Sequence, residues 1–288
     1  MRIAAVGLSG LVGSRVLELL GNEHEFVQTG LSAGVDITKR DTIFDAIKKF
    51  NPDIVLNLAA KADVDGSEID KSLGVDGEAW KLNVLGAQNV ALACKEFGKK
   101  LIHVSTDFVF DGKEEFYNED GLPNPVDWYG MTKYKGEEAV KGSGCNFIIA
   151  RIAYPYRAEF EKKDFVRAML SRLKEGLSIK GVTDHIMTPT FVDDIALALN
   201  SLFIKDDRGI YHVVGSSSVS PYDAAMLIAE KFGLNQALIS KTTREEYFAG
   251  KAQRPFRLFL KNDKIQKLGV EMKTFSQGID ELKNQLES

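Results

Sequence analysis

A tyrosine and a lysine stand one helical turn apart in the string Tyr129-Gly130-Met131-Thr132-Lys133. Residues at i and i+4 share one face of an α-helix, so a phenol and an ammonium at these positions would be neighbours. A free phenol ionises near pH ~10, which makes it a weak acid–base group at neutral pH. Because a nearby ammonium favours the phenolate, we expect Lys133 to lower the pKa of Tyr129 and to assist proton transfer.

The same spacing occurs again at Tyr247 and Lys251, so context must separate the two copies. Only Tyr129 follows a predicted strand that ends in hydroxyl side chains, in the segment 105–107 (Ser-Thr-Asp). Ligands of open parallel sheets bind beyond the carboxyl ends of the strands. A hydroxyl there can hydrogen-bond a carbonyl oxygen as charge develops on it. The sequence therefore predicts acid–base chemistry at Tyr129 and a surface helix or loop around Tyr247.

A glycine-rich turn near the start of the chain separates an apolar run from a helical pattern. Glycines permit the tight turn and let a pyrophosphate approach the backbone, while the N-terminus of the following helix stabilises its negative charge. This context favours dinucleotide binding over a plain structural turn. The predicted cofactor-binding residues of the turn are Gly7, Ser9, Gly10, Leu11, Val12 and Gly13.

These residues need a scaffold, and the pattern of apolar runs supplies one. Short runs at 3–6, 26–27, 54–58, 101–104 and 147–150 alternate with helical periods. Strands that are apolar on both faces and alternate with helices indicate a parallel sheet covered on both sides. We predict an α/β protein: a Rossmann-type doubly wound parallel sheet with a smaller α/β substrate-binding lobe.

The rhythm of elements changes after Arg151, where mixed elements and loops become more frequent. We predict that residues 1–152, with returns at about 183–214 and 256–268, form the NAD(P)-binding Rossmann domain. Residues 153–182, 215–255 and 269–288 are predicted to form the substrate-binding lobe.

Composition narrows the class of protein. The 288 residues include 44% hydrophobic and 27% charged residues, as in ordinary globular domains. Acidic residues number 41 against 37 basic ones, so no basic excess indicates nucleic-acid or membrane-surface binding. Two cysteines and four scattered histidines show no zinc spacing, and we expect no metal site. No apolar run is as long as a membrane span, and we expect a cytoplasmic protein.

Several further strings complete the pattern. Pro-Asp-Ile-Val-Leu-Asn at 52–57 leads to Ala59-Ala60, and Ser-Thr-Asp-Phe-Val-Phe-Asp-Gly at 105–112 is the most discriminating string. The others are Val64-Asp65 with Glu68, 129–137, 188–190 (Thr-Pro-Thr) before 193–196 (Asp-Asp-Ile-Ala), Tyr211-His212 and Arg254-Pro255. With the glycine spacing at 7–13, they make the chain resemble the extended short-chain dehydrogenases/reductases. Within that group, nearly the whole chain resembles the dTDP-4-dehydrorhamnose reductase family.

The resemblance implies roles for the matched positions. Tyr129 would give a proton to the C4 oxygen of a sugar, Lys133 would hold the nicotinamide ribose, and Thr106 would polarise the carbonyl. The cofactor would also lie along Asp36, Ile37, Leu58, Ala59, Ala60 and Lys61. The sugar-nucleotide would be bordered by Val64, Asp65, Asp107, Phe108, Tyr154 and Arg254. The implied reaction is NAD(P)H-dependent reduction of the 4-keto group of a nucleotide-activated 6-deoxy sugar, with dTDP-4-dehydrorhamnose as the first choice.

Three positions depart from the family's pattern. Tyr154 stands where the rhamnose-forming enzymes commonly place a Trp beside the sugar, which keeps open a reductase or epimerase of another nucleotide sugar. Arg15 stands where some relatives have a metal-binding Glu used in dimerisation, so we expect no magnesium-bridged dimer, while a homodimer stays open. The segment 28–32 offers no acidic side chain to bind a ribose 2′-hydroxyl. No obvious arginine binds a 2′-phosphate either, so we expect NADPH as the cofactor with NADH as the alternative, and use of both stays open.

A non-catalytic, regulatory function also fits the resemblance. The regulatory β subunit of methionine adenosyltransferase resembles this family, so the chain could be a non-catalytic NADP-binding subunit. The presence of Thr106, Tyr129 and Lys133 together favours an enzyme, because a purely regulatory protein has no need of all three. The expected partner is a nucleotide-sugar substrate, with neither nucleic acid nor membrane.

Overall fold

The computed structural model describes residues 1–287, in which short strands alternate with helices along most of the chain. The strands are β1 (Arg2–Val6), β2 (Glu25–Gln28), β3 (Ile54–Asn57), β4 (Lys100–Thr106), β5 (Asn146–Ile152), β6 (Pro155–Tyr156), β7 (Ile179–Val182), β8 (Thr190–Phe191), β9 (Gly209–His212) and β10 (Ile239–Thr242). Six of them form one parallel sheet in the order β2-β1-β3-β4-β5-β9. The chain order reverses between β1 and β3, and the carboxyl ends of strands at such a point form a ligand-binding crevice.

Helices cover both faces of this sheet. They are α1 (Leu11–Leu20), α2 (Arg40–Phe50), α3 (Val64–Asp70), α4 (Glu78–Trp80), α5 (Ala87–Glu96), α6 (Trp128–Ser143), α7 (Phe165–Lys174), α8 (Val192–Ile204), α9 (Pro221–Lys231), α10 (Arg244–Tyr247), α11 (Asp263–Gln266) and α12 (Phe275–Glu287). Ile102 packs in the core cluster beneath α1 and α8, whereas its neighbour Leu101 packs in the cluster beneath α2 and α5. Successive strand residues thus enter opposite layers, as in a doubly wound sheet, and the predicted fold class is confirmed.

One predicted helix differs from the structure. The helical pattern at 79–97 is divided into α4 and α5 by a π-helical turn at Lys81–Gly86. A π turn rotates the side chains that follow it relative to a regular α-helix, and such turns are frequent at functional sites. Here it contains Asn83, which is buried and contacts two segments of the site described below.

The later part of the chain divides its elements between the main sheet and a second core. Helix α8 packs on α1 and β9 joins the main sheet, while β7 pairs with β10 and β6 pairs with β8. A separate apolar cluster includes Tyr156, Phe191 and Phe275. The segment 183–214 therefore contributes to both cores, and the predicted two-lobe division stays a prediction, with Ser288 outside the described residues.

None of the helices within residues 1–287 is long and apolar enough to cross a lipid bilayer.

Candidate active site

The glycine turn lies in the crevice between β1 and β3. Gly7 has a positive φ of 86°, and a Cβ on it would lie 3.0 Å from the backbone carbonyl carbon of Leu58. A Cβ on Gly13 would lie 2.7 Å from the Cα of Leu8, so only glycine allows α1 to start this close to β1. No side chain caps the first turn of α1, and Ser9 and Gly10 are exposed. This backbone fits the phosphates of a dinucleotide, because uncapped amides at a helix N-terminus bind anions.

The other predicted cofactor residues of the first strands lie at the edges of this crevice. Leu58, Ala59 and Ala60 are partly exposed directly after β3, whereas Val12 is buried in the core and Leu11 packs against it. The structure therefore brings the glycine turn and the end of β3 together.

The side chains of three other predicted cofactor residues, Asp36, Ile37 and Lys61, contact the protein itself. The Asp36 carboxylate accepts hydrogen bonds from the amide and hydroxyl of Thr38, at 3.0 and 2.7 Å. Ile37 is buried, and its side chain packs in the core rather than at the surface. The Lys61 ammonium pairs with Glu78 at 2.6 Å. The Ile37 carbonyl accepts a hydrogen bond from the Asn89 side chain at 2.9 Å, and the Lys61 amide and carbonyl both bond to Asn83, so the backbones of these two residues also have partners within the protein.

Tyr129 lies at the start of α6, against the end of β4. The Asp127 carboxylate caps this helix by accepting a hydrogen bond from the Gly130 amide at 2.8 Å, and Glu68 accepts one from the Trp128 amide at 2.8 Å. A Cβ on Gly130 would lie 3.0 Å from the carbonyl carbon of Phe108. A glycine directly after Tyr129 thus lets the helix approach the segment that follows β4.

Lys133 is fully enclosed one turn later on the same helix. Its ammonium donates a hydrogen bond to the Val104 carbonyl of β4 at 2.8 Å. Burial lowers the pKa of Lys133 to about 8, and the negative charge of Glu137 opposes that decrease.

The expected effect of Lys133 on Tyr129 is wrong for this structure. Burial raises the pKa of the Tyr129 phenol above its ordinary value, contact with the Thr106 hydroxyl opposes the rise, and the charge of Asp107 adds to it. The physical reason is that desolvation penalises the phenolate more than the hydroxyl contact stabilises it. Tyr129 is therefore protonated at neutral pH, which is the state that a proton donor requires.

The strand-end hydroxyl is Thr106, and it is hydrogen-bonded to its neighbour. Its Oγ1 donates to the Asp107 carboxylate at 3.0 Å and accepts from the Phe108 amide at 3.3 Å. Burial raises the pKa of Asp107 to about 7; the negative charge of Asp127 adds to the increase, and the Thr106 hydrogen bond opposes it. Burial also raises the pKa of Asp127 to about 6. Thr106, Asp107 and Tyr129 thus form one buried polar group.

The predicted substrate residues border this group on the side of the second core. The Arg254 guanidinium donates to the Asp65 carboxylate at 2.9 Å, and the Ala252 amide donates to the same oxygen at 3.2 Å. A cavity of about 380 Å³ lies beside Arg254 and is also lined by Arg244 and Lys251. Asp184 and Glu245 line the same cavity, so its three cationic and two anionic side chains leave a net charge of +1.

Aromatic and apolar residues close the remaining border. Phe108 and Tyr129 belong to one buried cluster, against which Val64 and Tyr154 pack. The ring of Phe108 lies 5.7 Å from that of Tyr129 and 6.1 Å from that of Tyr154. The structure thus brings Tyr154 to within one aromatic ring of the candidate proton donor.

Two residues that sequence reasoning did not place in the site hold its segments together. Asn83 accepts from the Lys61 amide at 2.8 Å and donates to the Lys61 carbonyl at 3.1 Å and to the Thr132 hydroxyl at 2.9 Å. His185 contacts Tyr154 and Pro255. The sequence signal that could have identified Asn83 is a polar residue on the apolar side of a predicted helix. For His185 the only such signal is its position shortly before the turn at Pro189.

Two further sequence features have clear positions. Arg15 forms a bidentate ion pair with Asp193, at 2.7 and 2.8 Å, between α1 and α8. In the described part of the chain, no group of three or more His, Cys, Asp or Glu side chains could hold a metal ion. The second Tyr-x-x-x-Lys copy lies in α10 and the turn after it, where Tyr247 is 45% exposed.

Comparison with known proteins adds to this geometry. The family described as "RmlD substrate binding domain" matches residues 1–288. The dTDP-4-dehydrorhamnose reductase of Aggregatibacter actinomycetemcomitans is 33% identical over 279 residues, covering 92% of each chain. Methionine adenosyltransferase 2 subunit beta of Xenopus laevis is 30% identical, covering 97% of this chain and 86% of its own. The crystal structure of dTDP-4-dehydrorhamnose reductase from Bacillus anthracis in complex with NADP has a TM-score of 0.90 and 29% identity, with 99% of both chains covered.

Proposed function

The chain belongs to the RmlD substrate-binding domain family, as the sequence resemblance indicated, and we propose that it is an NADPH-dependent reductase of a nucleotide-activated 4-keto-6-deoxy sugar. The proposed reaction converts dTDP-4-dehydrorhamnose to dTDP-rhamnose. One observation carries the proposal: Thr106, Tyr129 and Lys133 meet at the end of β4. A relative matched over 92% of its own length is named for this activity, and one solved relative is in complex with NADP.

The proton balance of the reaction fits Tyr129. Reduction of a ketone to an alcohol adds a hydride to carbon and a proton to oxygen, and NADPH supplies the hydride when bound. Because burial raises the pKa of Tyr129, the phenol carries its proton at neutral pH and can give it to the C4 oxygen. Thr106 would hydrogen-bond the same oxygen as negative charge develops on it.

Lys133 would bind the nicotinamide ribose, and its position is set by β4. The hydrogen bond to the Val104 carbonyl uses one of the three ammonium protons, so two remain for ligand hydroxyls. The glycine turn with its uncapped helix start would hold the pyrophosphate. The sequence after β2 offers no carboxylate for the ribose 2′-hydroxyl, which supports NADPH, with NADH as the second choice.

The substrate would lie between the Asp65–Arg254 pair and the Phe108–Tyr154 rings. Around the neighbouring cavity, the cations Arg254, Arg244 and Lys251 outnumber two carboxylates and would supply positive charge for a nucleoside diphosphate. Phe108 and Tyr154 supply apolar surface for a deoxy sugar ring. Tyr154 keeps a reductase or epimerase of another nucleotide sugar as the alternative within enzymes.

A non-catalytic role is the second candidate function, because a relative matched over 86% of its own length is named as a subunit of methionine adenosyltransferase. A regulatory subunit would bind NADP without turning over a sugar. The two functions differ in whether Tyr129 is needed, so a turnover assay separates them. A cytoplasmic location and a homodimer also stay proposals, and sedimentation of the purified protein would measure the second.

The deciding experiment is a cofactor-oxidation assay. Purified protein is mixed with dTDP-4-dehydro-6-deoxyglucose, with and without the 3,5-epimerase that converts it to dTDP-4-dehydrorhamnose, and absorbance at the reduced-nicotinamide band is followed for NADPH and NADH separately. We expect oxidation of NADPH that depends on the epimerase. Oxidation of neither cofactor would overturn the proposed reaction, and epimerase-independent oxidation would indicate another sugar.

A further inference from the structure

Tyr154 has an unusual backbone conformation for a residue with a large side chain. Its φ is +40°, and Asn51 is the other residue besides glycine with positive φ within residues 1–287. The left-handed region is rarely adopted by bulky residues, so surrounding contacts must hold Tyr154 there. The rings of Phe108 and Phe165 lie 6.1 and 6.0 Å from the Tyr154 ring, which packs between the second core and the cluster of Phe108 and Tyr129.

The polar contact that fixes Tyr154 comes from His185. The Tyr154 hydroxyl lies 2.7 Å from His185 Nε2, and His185 Nδ1 lies 2.8 Å from the Pro255 carbonyl oxygen. A carbonyl oxygen only accepts hydrogen bonds, so Nδ1 must carry the ring proton. Burial lowers the pKa of His185 to about 4, which keeps the ring neutral and leaves Nε2 as an acceptor. Tyr154 therefore donates its only hydroxyl proton to His185.

These two hydrogen bonds join the two borders of the substrate region. Pro255 directly follows Arg254, whose guanidinium is paired with Asp65. On the other side, Tyr154 packs on Phe108, which packs on Tyr129. His185 is thus the link between the segment proposed to hold the nucleotide and the ring proposed to contact the sugar. Both of its ring nitrogens are occupied by these two hydrogen bonds, so it acts through its partners.

We infer that His185 is a positioning residue that sets the distance between the Arg254 segment and the Tyr154 ring, and so determines which sugar-nucleotides fit. The inference rests on the proposed function and deepens it.

Steady-state kinetics with the purified enzyme test the inference. His185→Phe keeps a ring of similar size and removes both hydrogen bonds, while Tyr154→Phe removes only the donor. We expect each variant to raise KM for the sugar-nucleotide about tenfold, with kcat changed less than threefold and the Kd of NADPH unchanged. The double variant should be no worse than His185→Phe, because both changes break the same link. His185→Gln can donate to Pro255 and accept from Tyr154, and it should restore KM to within about threefold.

The outcomes separate the inference from the proposed function. If the wild-type enzyme is active and His185→Phe has an unchanged KM, the inference is overturned while the proposed reaction stands. Additive effects of the two variants overturn it as well. If the wild type oxidises no cofactor, the proposed reaction fails, and ¹⁵N NMR of the histidine ring still decides the link. We expect a protonated Nδ1 and an unprotonated Nε2 for His185 at pH 7, with the Nε2 resonance shifted in Tyr154→Phe; a protonated Nε2 would overturn the link.

Discussion

The Lys133 ammonium lies 2.8 Å from the Val104 carbonyl and donates its hydrogen bond to β4. The lysine is therefore held against the sheet by this hydrogen bond, and its charge does not lower the pKa of Tyr129 below the ordinary value. Tyr129 keeps a raised pKa through burial, so the phenol is the acid of the pair and the ammonium is the group that titrates near neutrality. This division of roles suits a reduction, in which the enzyme must deliver a proton.

The pH dependence of cofactor binding should follow Lys133. Burial lowers the pKa of this ammonium to about 8, so its charge is present below that pH and lost above it. We expect the Kd of NADPH to rise as the pH increases through about 8, because the Lys133 ammonium loses its positive charge next to an anionic ligand. Fluorescence titration of NADPH between pH 6 and 10 measures this. Lys133→Met should bind more weakly and show no such rise; an equal rise in both proteins would assign the titration elsewhere.

The proton donor can be tested against the second Tyr-x-x-x-Lys copy. Tyr129→Phe removes the phenolic proton and should lower kcat by about 10²–10⁴, the usual contribution of a positioned general acid. The Kd of NADPH should change little, since the ring that packs on Phe108 is kept. Tyr247→Phe is the matched control and should leave kcat unchanged, because Tyr247 lies exposed in α10. Undiminished turnover in Tyr129→Phe would exclude it as the acid.

Local patterns were sufficient to predict the sheet and the glycine turn. Runs that are apolar on both faces can only be buried on both faces, and a glycine turn between a strand and a helix has few other uses. The strands β1, β3, β4 and β5 and the helix α6 therefore follow from their own residues. Ligands of such sheets bind at the carboxyl ends of the strands, which is why a candidate site could be predicted from the sequence.

Other features depend on contacts between distant segments. The direction of the Tyr129 pKa shift depends on how completely other elements bury the phenol. The spacing of residues along α6 gives no information about that burial. The contacts of His185 reach Tyr154, 31 residues away, and Pro255, 70 residues away. Asn83 lies in a π turn, and its partners Lys61 and Thr132 are 22 and 49 residues away. Periodicity carries no information about such pairs.

Asp107 should give the protein a characteristic dependence of stability on pH. Burial raises its pKa to about 7 in the folded state, from about 4 in an unfolded chain. The folded state binds more protons between these values, so this group makes the free energy of unfolding fall as pH rises from about 4 to 7.

Asp107→Asn lacks this titration and isolates it. The free energy of unfolding of the variant minus that of the wild type should increase by a few kcal/mol between about pH 4 and 7, measured by urea denaturation. His185 and His212, whose pKa values burial lowers to about 4 and about 3, make stability rise with pH in both proteins and cancel in the difference. A difference that does not depend on pH would show that Asp107 is ionised in the folded protein.

Two adjacent glutamates provide a matched test of buried charge. Glu137 forms a bidentate pair with Arg151, at 2.9 and 2.7 Å, and both side chains are fully buried. Glu137→Gln leaves the guanidinium uncompensated and should lower the free energy of unfolding by about 3–5 kcal/mol. Glu138 pairs with Lys135 at the surface, with 41% of its side chain exposed, so Glu138→Gln should cost less than about 1 kcal/mol. Equal effects of the two substitutions in urea denaturation would contradict the assignment of Glu137 to the core.

The close approach of α1 to β1 makes Gly13 the most sensitive position of the glycine turn. An added Cβ would lie 2.7 Å from the Leu8 Cα and 3.1 Å from the Gly7 carbonyl carbon, and both contacts are with backbone atoms. Gly13→Ala should push the helix start away from the crevice, lower the free energy of unfolding by about 1–3 kcal/mol and raise the Kd of NADPH at least tenfold. Gly142→Ala, near the end of α6, meets no atom within 4 Å and should change stability by less than about 1 kcal/mol with the Kd unchanged. If Gly13→Ala lost stability but bound NADPH normally, the turn would be a packing feature, and the pyrophosphate would have to be held by another part of the chain.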